Sequence, residues 1–167
     1  MELTSKRRRC VKYINFKIIL WRKFFIEETE KKEKYKLGKS AAKEILQKML
    51  DHYEIDLDEI DDKDLKRAIG NGTARLITAI RRGRLEFKYE KGIKVFQTLK
   101  DGSDIIEYRE IDGIAKTEMA GKEPSDHYGK SYALMGSLCG RGEAAIKKLT
   151  GVDLSLVEVL GLIFLSV

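Results

Sequence analysis

The sequence has few of the residues on which metalloenzymes and disulfide-bonded proteins depend. Its 167 residues include one proline, two cysteines and two histidines. Cys10 and Cys139 lie far apart, with no CxxC motif and no Cys/His cluster, so we expect two free thiols in a reducing, cytoplasmic compartment. His52 and His127 are too isolated for a metal site. We therefore predict neither a metal nor a cofactor.

Long uncharged runs are also missing from the N-terminal part. The stretch MELTSKRRRCVKYINFKIILWRKFFIEE superficially resembles a signal peptide, yet no uncharged run in it exceeds four residues. Such a run is too short for a secretory segment or a membrane span. Apolar residues at helical spacing instead predict an amphipathic basic helix, and the alternative is a loosely docked extension. The residues on its apolar face are Ile14, Ile18, Trp21 and Phe25.

The positive charge is concentrated at one end of the chain. The formal net charge is +6, and residues 1–38 carry +7, residues 39–83 zero and residues 84–167 −1. The excess of positive charge lies outside residues 39–167, so we predict no basic face on that part of the protein. One alternative function is a small nucleic-acid-binding or regulatory protein that uses the N-terminal cations and the basic cluster at residues 81–84. Its candidate residues are Arg7, Arg8, Arg9, Lys12, Arg22, Lys23, Arg81, Arg82 and Arg84.

Residues 39–83 have the pattern of two helices. The first has an apolar face from Ala42 to Tyr53 and Ser40 as its N-cap. An acidic linker separates it from the second, in which the glycines at 70 and 72 are expected to interrupt or kink the helix. Gly83 is expected to end the second helix after two arginines.

Residues 84–167 have the pattern of strands followed by helices. RLEFKYE, IKVFQTL and DIIEYREI predict a three-stranded antiparallel meander with turns at Lys91-Gly92 and Asp101-Gly102. Ser125 and Asp126 then open a helix that a glycine-rich break at 140–142 ends. A short helix over 143–149 precedes a last helix, which is expected to start at Asp153 or Ser155 with a Ser155/Glu158 capping box.

These patterns predict an α+β fold with N-terminal helices, a small three-stranded antiparallel β-meander and a C-terminal helical segment. Residues 1–38 form a basic extension, residues 39–83 a helical segment and residues 84–167 the meander with the C-terminal helices. We expect residues 39–167 to make one domain.

No motif in the chain carries a recognisable chemistry. Two GKS stretches, at 38–40 and 129–131, lack the earlier glycine of a phosphate-binding loop, because Glu33 and Pro124 stand in its place. The glycines of 136–142 lie between helical patterns and are interpreted as a break that lets two helices pack closely. His127 is three helical turns from Cys139, too far to activate its thiol. We predict no catalytic residues and a non-enzymatic protein.

The C-terminal stretch GVDLSLVEVLGLIFLSV is the most apolar part of the chain and has no charged residue after Glu158. Each large apolar side chain gains roughly 1.5–3 kcal/mol on full burial, so we expect this stretch to be covered. The candidates for covering it are the core of the same chain, a second copy, a client protein and a membrane.

Three stretches resemble one family of small proteins. RLITAIRRGRLEF, LKDGSDIIEYREI and YGKSYALMGSLCGRGEAAIKKLTGVDLSLVEVLGLIFL resemble the tail assembly chaperones and small tail proteins of long-tailed bacteriophages and prophages. Residues 134–165 follow the family's cadence ALxxLxGxxxxAlxxLxxxDlxxlxexlxxFL. The resemblance covers about 100 residues of this sequence.

The resemblance implies a non-enzymatic protein of the bacterial host cytoplasm. Such a protein coats hydrophobic segments of a tape-measure protein until tail-tube subunits replace it, and it needs apolar area for the client. The client, or a neighbouring copy, would then share part of the last helix. The implied partner-binding residues are Leu156, Val159, Leu160, Ile163 and Phe164. Alternatively, this helix packs into its own domain, against the helix over 128–139 and one face of the meander.

Overall fold

Helices flank a small sheet in the computed structural model, which describes residues 35–167. Residues 37–167 cluster into one compact unit. The predicted α+β class is confirmed, since a three-stranded antiparallel sheet lies between helical segments. The amphipathic basic helix predicted before residue 35, and the candidate cations in it, lie outside the described residues. The elements are α1 (Lys39–His52), α2 (Lys63–Arg81), β1 (Leu85–Tyr89), β2 (Ile93–Thr98), β3 (Ile105–Tyr108), α3 (Gly113–Thr117), α4 (His127–Leu138), α5 (Glu143–Lys147) and α6 (Gly151–Phe164).

The two N-terminal helices differ in how they begin. Gly38 occupies the N-cap of α1, so the prediction that Ser40 caps this helix is wrong. The Ser40 hydroxyl lies inside the first turn and donates to the Glu44 carboxylate at 3.4 Å. At α2, the Asp62 carboxylate accepts from two backbone N–H groups at 2.9 and 3.0 Å, which satisfies donors that the first helical turn leaves free.

Helix α2 is continuous through the glycines at 70 and 72, so the expected interruption is wrong, while the alternative, a kink, stays a prediction. Gly72 is buried against α6, where a Cβ atom would overlap the side chain of Val159. This glycine therefore lets two helices approach closely. The predicted end of the helix is confirmed: Arg82 is the C-cap, and Gly83 follows with a φ of +65°.

The predicted three-stranded meander is confirmed. The strand order is β1-β2-β3, with Phe87 opposite Val95 and Val95 opposite Tyr108. Both predicted turns contain a glycine with positive φ, Gly92 at +97° and Gly102 at +72°. Alternate residues along the strands are buried, so one face of the sheet joins the core and the other faces solvent.

Helices α4 and α5 follow the predicted pattern, and α3 was not predicted. Asp126 caps α4 by accepting from the Gly129 N–H at 2.8 Å. A Cβ atom at Gly136 would overlap the backbone of Gly142 and Glu143, which confirms that this glycine-rich stretch lets two helices pack closely. Helix α3 has only five residues, too few for a recognisable apolar period.

Helix α6 lies at the centre of the helical layer, in contact with α2 and α4. It begins at Gly151, so the predicted start at Asp153 or Ser155 and the Ser155/Glu158 capping box are wrong. Glu158 instead accepts a hydrogen bond from the Tyr132 hydroxyl at 2.6 Å. At the crossing with α4, a Cβ atom at Gly161 would overlap Ser131, so the two helix backbones approach closely there.

Candidate functional site

The five residues implied as partner-binding are buried in the core of the chain. Their exposed fractions lie between 0% for Leu156 and 5% for Val159. Helix α6 thus packs into its own domain in this conformation, with α4 on one side as expected and α2 on the other. The prediction that these residues contact a client stays a prediction, and it requires the helix to leave its place. The buried residues are Leu156, Val159, Leu160, Ile163 and Phe164.

Moving α6 out of the core would expose a large buried apolar surface. Five large apolar side chains at roughly 1.5–3 kcal/mol each represent on the order of 8–15 kcal/mol of burial. A whole domain is stable by about 5–15 kcal/mol. A burial term of this size favours a client site on a surface that the folded protein already exposes.

A polar network fixes the N-terminal turn of α6 to the sheet. The Asp153 carboxylate forms an ion pair with the Arg84 guanidinium and accepts the Lys100 backbone N–H at 3.1 Å. Arg84 also donates through Nε to the Thr98 carbonyl at 3.3 Å. The Arg84 and Asp153 side chains are 14% and 17% exposed, so this pair is largely shielded from solvent. Arg84 is therefore an internal contact and not an open cation for nucleic acid.

Two fully buried polar side chains continue this network into the sheet. Gln97 donates through Nε2 to the Asp153 carbonyl at 2.9 Å, and the Tyr108 hydroxyl donates to Gln97 Oε1 at 3.0 Å. Burial raises the pKa of Tyr108 well above its usual range, so the phenol keeps its proton and its role as donor. The network orients α6 relative to the meander.

A surface groove lies beside this network, between α2 and the first turns of α6. We call it the α2–α6 groove. It has a volume of about 600 Å³ and an apolar floor that includes Val152, which is 45% exposed. The groove is lined by Ala74, Arg75, Thr78, Ala79, Arg82, Arg84, Gly151, Val152 and Ser155.

Arginines form the rim of the α2–α6 groove. Arg75 is exposed and makes no ion pair with any described residue. Arg82 lines the same groove, whereas Arg81 donates through Nε to the Leu37 carbonyl at 3.4 Å. Of the three arginines of the sequence cluster, Arg82 and Arg84 thus line the groove, Arg84 as part of an ion pair, whereas Arg81 contacts the segment before α1. They do not assemble into one open basic face.

Sequence reasoning missed Arg75 and Val152, which give the α2–α6 groove its charge and its apolar floor. Arg75 lies in the middle of a polar helix surface, and Val152 precedes the first acidic residue of α6. Neither belongs to a motif. They come together only because α2 and α6 cross at Gly72 and Val159, a contact between distant parts of the sequence.

A second groove, of about 420 Å³, is lined by residues of α2, α4 and α6 and shares Arg75 with the α2–α6 groove, but most of its other charges are paired locally. Arg67 forms an ion pair with Asp64 at 3.0 Å, and Glu158 accepts from Tyr132. His127, at its edge, lies 3.2 Å from the Asp62 carboxylate. Apart from Arg75, these pairs account for the charged side chains of the lining without a ligand.

Within residues 35–167, no three His, Cys, Asp or Glu side chains come together as a metal site would require. In the same part of the chain, no helix combines the length and the apolarity needed to cross a bilayer. No protein-family model, no curated protein and no solved structure matches the chain.

Proposed function

We propose that the protein is a non-enzymatic binding protein, a tail assembly chaperone or minor tail protein of a long-tailed bacteriophage or prophage. Its client in this proposal is an apolar helical segment of a tape-measure-like protein. The resemblance of residues 134–165 to that family supports the proposal, and these residues run from the C-terminal part of α4 through α5 and α6.

The α2–α6 groove is the observation that supports binding of a protein client. An amphipathic helix binds by laying apolar residues, spaced three or four apart, into such a groove. The floor around Val152 is apolar and open to solvent, and the exposed Arg75 lines the same groove. A client helix with Asp or Glu beside its apolar stripe would complement both features.

The buried residues of α6 contribute to this site indirectly. Leu156 and Leu160 are fully buried and hold one side of the helix in the core. The first turn of the same helix, with Val152, is consequently left at the surface. In this proposal the buried residues of 156–164 position the groove and do not themselves enter the client interface.

Co-expression with a neighbouring large coiled-coil gene product, followed by affinity pull-down, tests the proposal. Val152→Asp places a carboxylate on the groove floor and should reduce capture of the client at least about tenfold, since an unpaired charge in an apolar contact is unfavourable. Ile114→Asp is the matched control, because Ile114 is 66% exposed on α3, away from the groove. It should capture the client as the wild type does. Equal capture by Val152→Asp, with circular dichroism showing both variants folded, would exclude the groove.

A second candidate function rests on the +7 charge of residues 1–38. A small nucleic-acid-binding or regulatory protein that used these cations would bind DNA with a steep salt dependence. Deletion of residues 1–38 separates the two functions. The chaperone should keep its client, whereas a DNA-binding protein should lose most of its salt-sensitive affinity.

A further inference from the structure

Strand β1 presents an open edge of the sheet. The Thr98 N–H donates to the Arg84 carbonyl at 2.8 Å, which makes these two residues a hydrogen-bonded pair of the β1–β2 ladder. Hydrogen-bonded pairs alternate along an antiparallel ladder. The backbone groups of Leu85, Phe87 and Tyr89 consequently point away from β2, towards the outer edge.

The opposite edge of the sheet is covered at both ends of β3 by contacts within the chain. The Arg109 N–H donates to the Leu138 carbonyl at 3.1 Å, and Arg141 donates to the Ile105 carbonyl at 3.3 Å. At the β1 edge, no hydrogen bond from residues 35–167 reaches the outward backbone groups. An edge strand without a bulge, a proline or a cover is a template for another strand.

The side chains of β1 become more exposed along the strand. Leu85 is 1% exposed, Phe87 is half-buried and Tyr89 is 36% exposed. Tyr89 is flanked by the His52 ring at 6.0 Å and by the Lys48 ammonium at 4.5 Å from its centroid. An additional strand beside β1 would cover these half-exposed aromatic rings.

We propose that β1 pairs antiparallel with β1 of a second copy, about a two-fold axis through Phe87, to give a continuous six-stranded sheet. In this register Phe87 stands opposite Phe87 of the second copy, and Leu85 stands opposite Tyr89. The outward backbone groups of the three residues then pair reciprocally. The interface is isologous, as two-fold symmetry requires.

The charges of β1 select this partner and this register. On the outer face, Glu86 stands opposite Lys88 of the second copy, and the symmetric pair repeats the contact. A shift by two residues in one direction puts Glu86 opposite Glu86, and a shift in the other puts Lys88 opposite Lys88. Opposite charges stabilise directly opposed positions and like charges destabilise them.

The second copy also offsets the repulsion between two lysines that face each other within the chain. Lys88 faces Lys94 across the β1–β2 ladder, and Lys94 already forms an ion pair with Glu107 at 2.6 Å. The Lys88 ammonium lies 4.7 Å from the centroid of the Phe96 ring and has no carboxylate partner among residues 35–167. Glu86 of the second copy supplies that carboxylate.

This self-association is independent of the proposed function, because the α2–α6 groove and the β1 edge share no residue. Sedimentation equilibrium of the full chain, at several protein concentrations, tests it. The expected result is a dimer at micromolar concentration. Glu86→Lys and Lys88→Glu should each raise the dissociation constant about tenfold or more, since each substitution creates two pairs of like charges across the interface.

The double variant Glu86→Lys/Lys88→Glu is the decisive control. It restores opposite charges in the proposed register, so it should recover the wild-type dissociation constant to within about threefold. A charge swap that stays as weak as the single variants would overturn the register. A wild type that remains monomeric at about 100 µM, or gains mass only when a client is added, would overturn the self-pairing itself.

Discussion

Truncation of Ile163 tests whether α6 belongs to the core in solution. Its side chain is 1% exposed, on the helix that packs between α2 and α4. Ile163→Ala removes three carbon groups, a loss of about 2.4 kcal/mol at 0.8 kcal/mol for each buried group. The cavity left behind adds to this, and such substitutions cost about 2–5 kcal/mol in all.

The upper part of that range is expected at this position. Neighbouring side chains can refill a cavity only where their backbones can move inward. Here the α4–α6 crossing at Gly161 and the α2–α6 crossing at Gly72 already bring the helices into close contact. The site therefore has little room to collapse, and we expect Ile163→Ala to lower the free energy of unfolding by about 3–5 kcal/mol.

Urea unfolding followed by circular dichroism measures this loss. Ile163→Val should cost about 0.5–1.5 kcal/mol, and Val152→Ala, at an exposed position on the same helix, less than about 0.5 kcal/mol. The slope of the free energy with urea should stay constant if only stability changes. A loss below about 0.5 kcal/mol for Ile163→Ala would refute the core assignment, because that value is typical of surface sites. The client-binding role of α6 would then be the better interpretation.

Four further substitutions test the helix contacts and the surface charges. Ser131 is fully buried, and its hydroxyl has no hydrogen-bond partner among residues 35–167, so Ser131→Ala should raise the free energy of unfolding by about 1 kcal/mol. Gly161→Ala should lower it by about 1–3 kcal/mol, and by less in the Ser131→Ala background, where the closest overlapping atom is gone. Gly136→Ala should lower it by about 1–3 kcal/mol or more, because the added Cβ atom would overlap backbone atoms, which cannot move aside as a side chain can. Hydrogen bonds from Lys122 and a neighbouring lysine lower the pKa of Glu143, so its contribution is present above its unfolded pKa of about 4.3 and is lost as the pH falls through the lower folded value. Urea unfolding between pH 7 and pH 3 should therefore show a smaller acid-induced loss for Glu143→Gln, and an unchanged pH dependence would contradict this.

The local signals of the sequence predicted the meander and its turns well. Turn chemistry at Asp101-Gly102 and Lys91-Gly92 acts over a few residues, so tertiary contacts did not override it. The end of α2 at Gly83 is of the same kind. Which face of the sheet joins the core was not predicted, and the burial pattern along β2 in the structure shows it.

The roles of glycines in helices were predicted less reliably, because tertiary contacts and not the neighbouring sequence determine those roles. Gly72 was expected to break α2 and instead accommodates Val159 from the other end of the chain. The Ser155/Glu158 pair has the spacing of a capping box, yet Glu158 is engaged by Tyr132. In both cases a tertiary partner, absent from the local sequence, decides the role of the residue.

The same difference between local signals and tertiary contacts applies to the candidate site. The apolar character of residues 156–164 was visible in the sequence, and so was the need to cover them. Whether the cover is a client or the chain itself depends on the packing of α2 and α4, which no local pattern encodes. The α2–α6 groove could not be predicted at all, since it is formed by two helix surfaces that are ordinary when considered separately.

The network around Asp153 has a consequence for the order of folding. The ion pair with Arg84 spans 69 positions of the sequence, and the bond from Gln97 spans 56, whereas the hairpin contacts of the meander span few. Long loops close slowly, and proteins rich in distant contacts fold slowly. We expect the meander and α2 to form first and the docking of α6 to complete the fold. Until that step, the apolar surfaces of α2 and α4 stay uncovered, and the chain is most prone to aggregate in this interval.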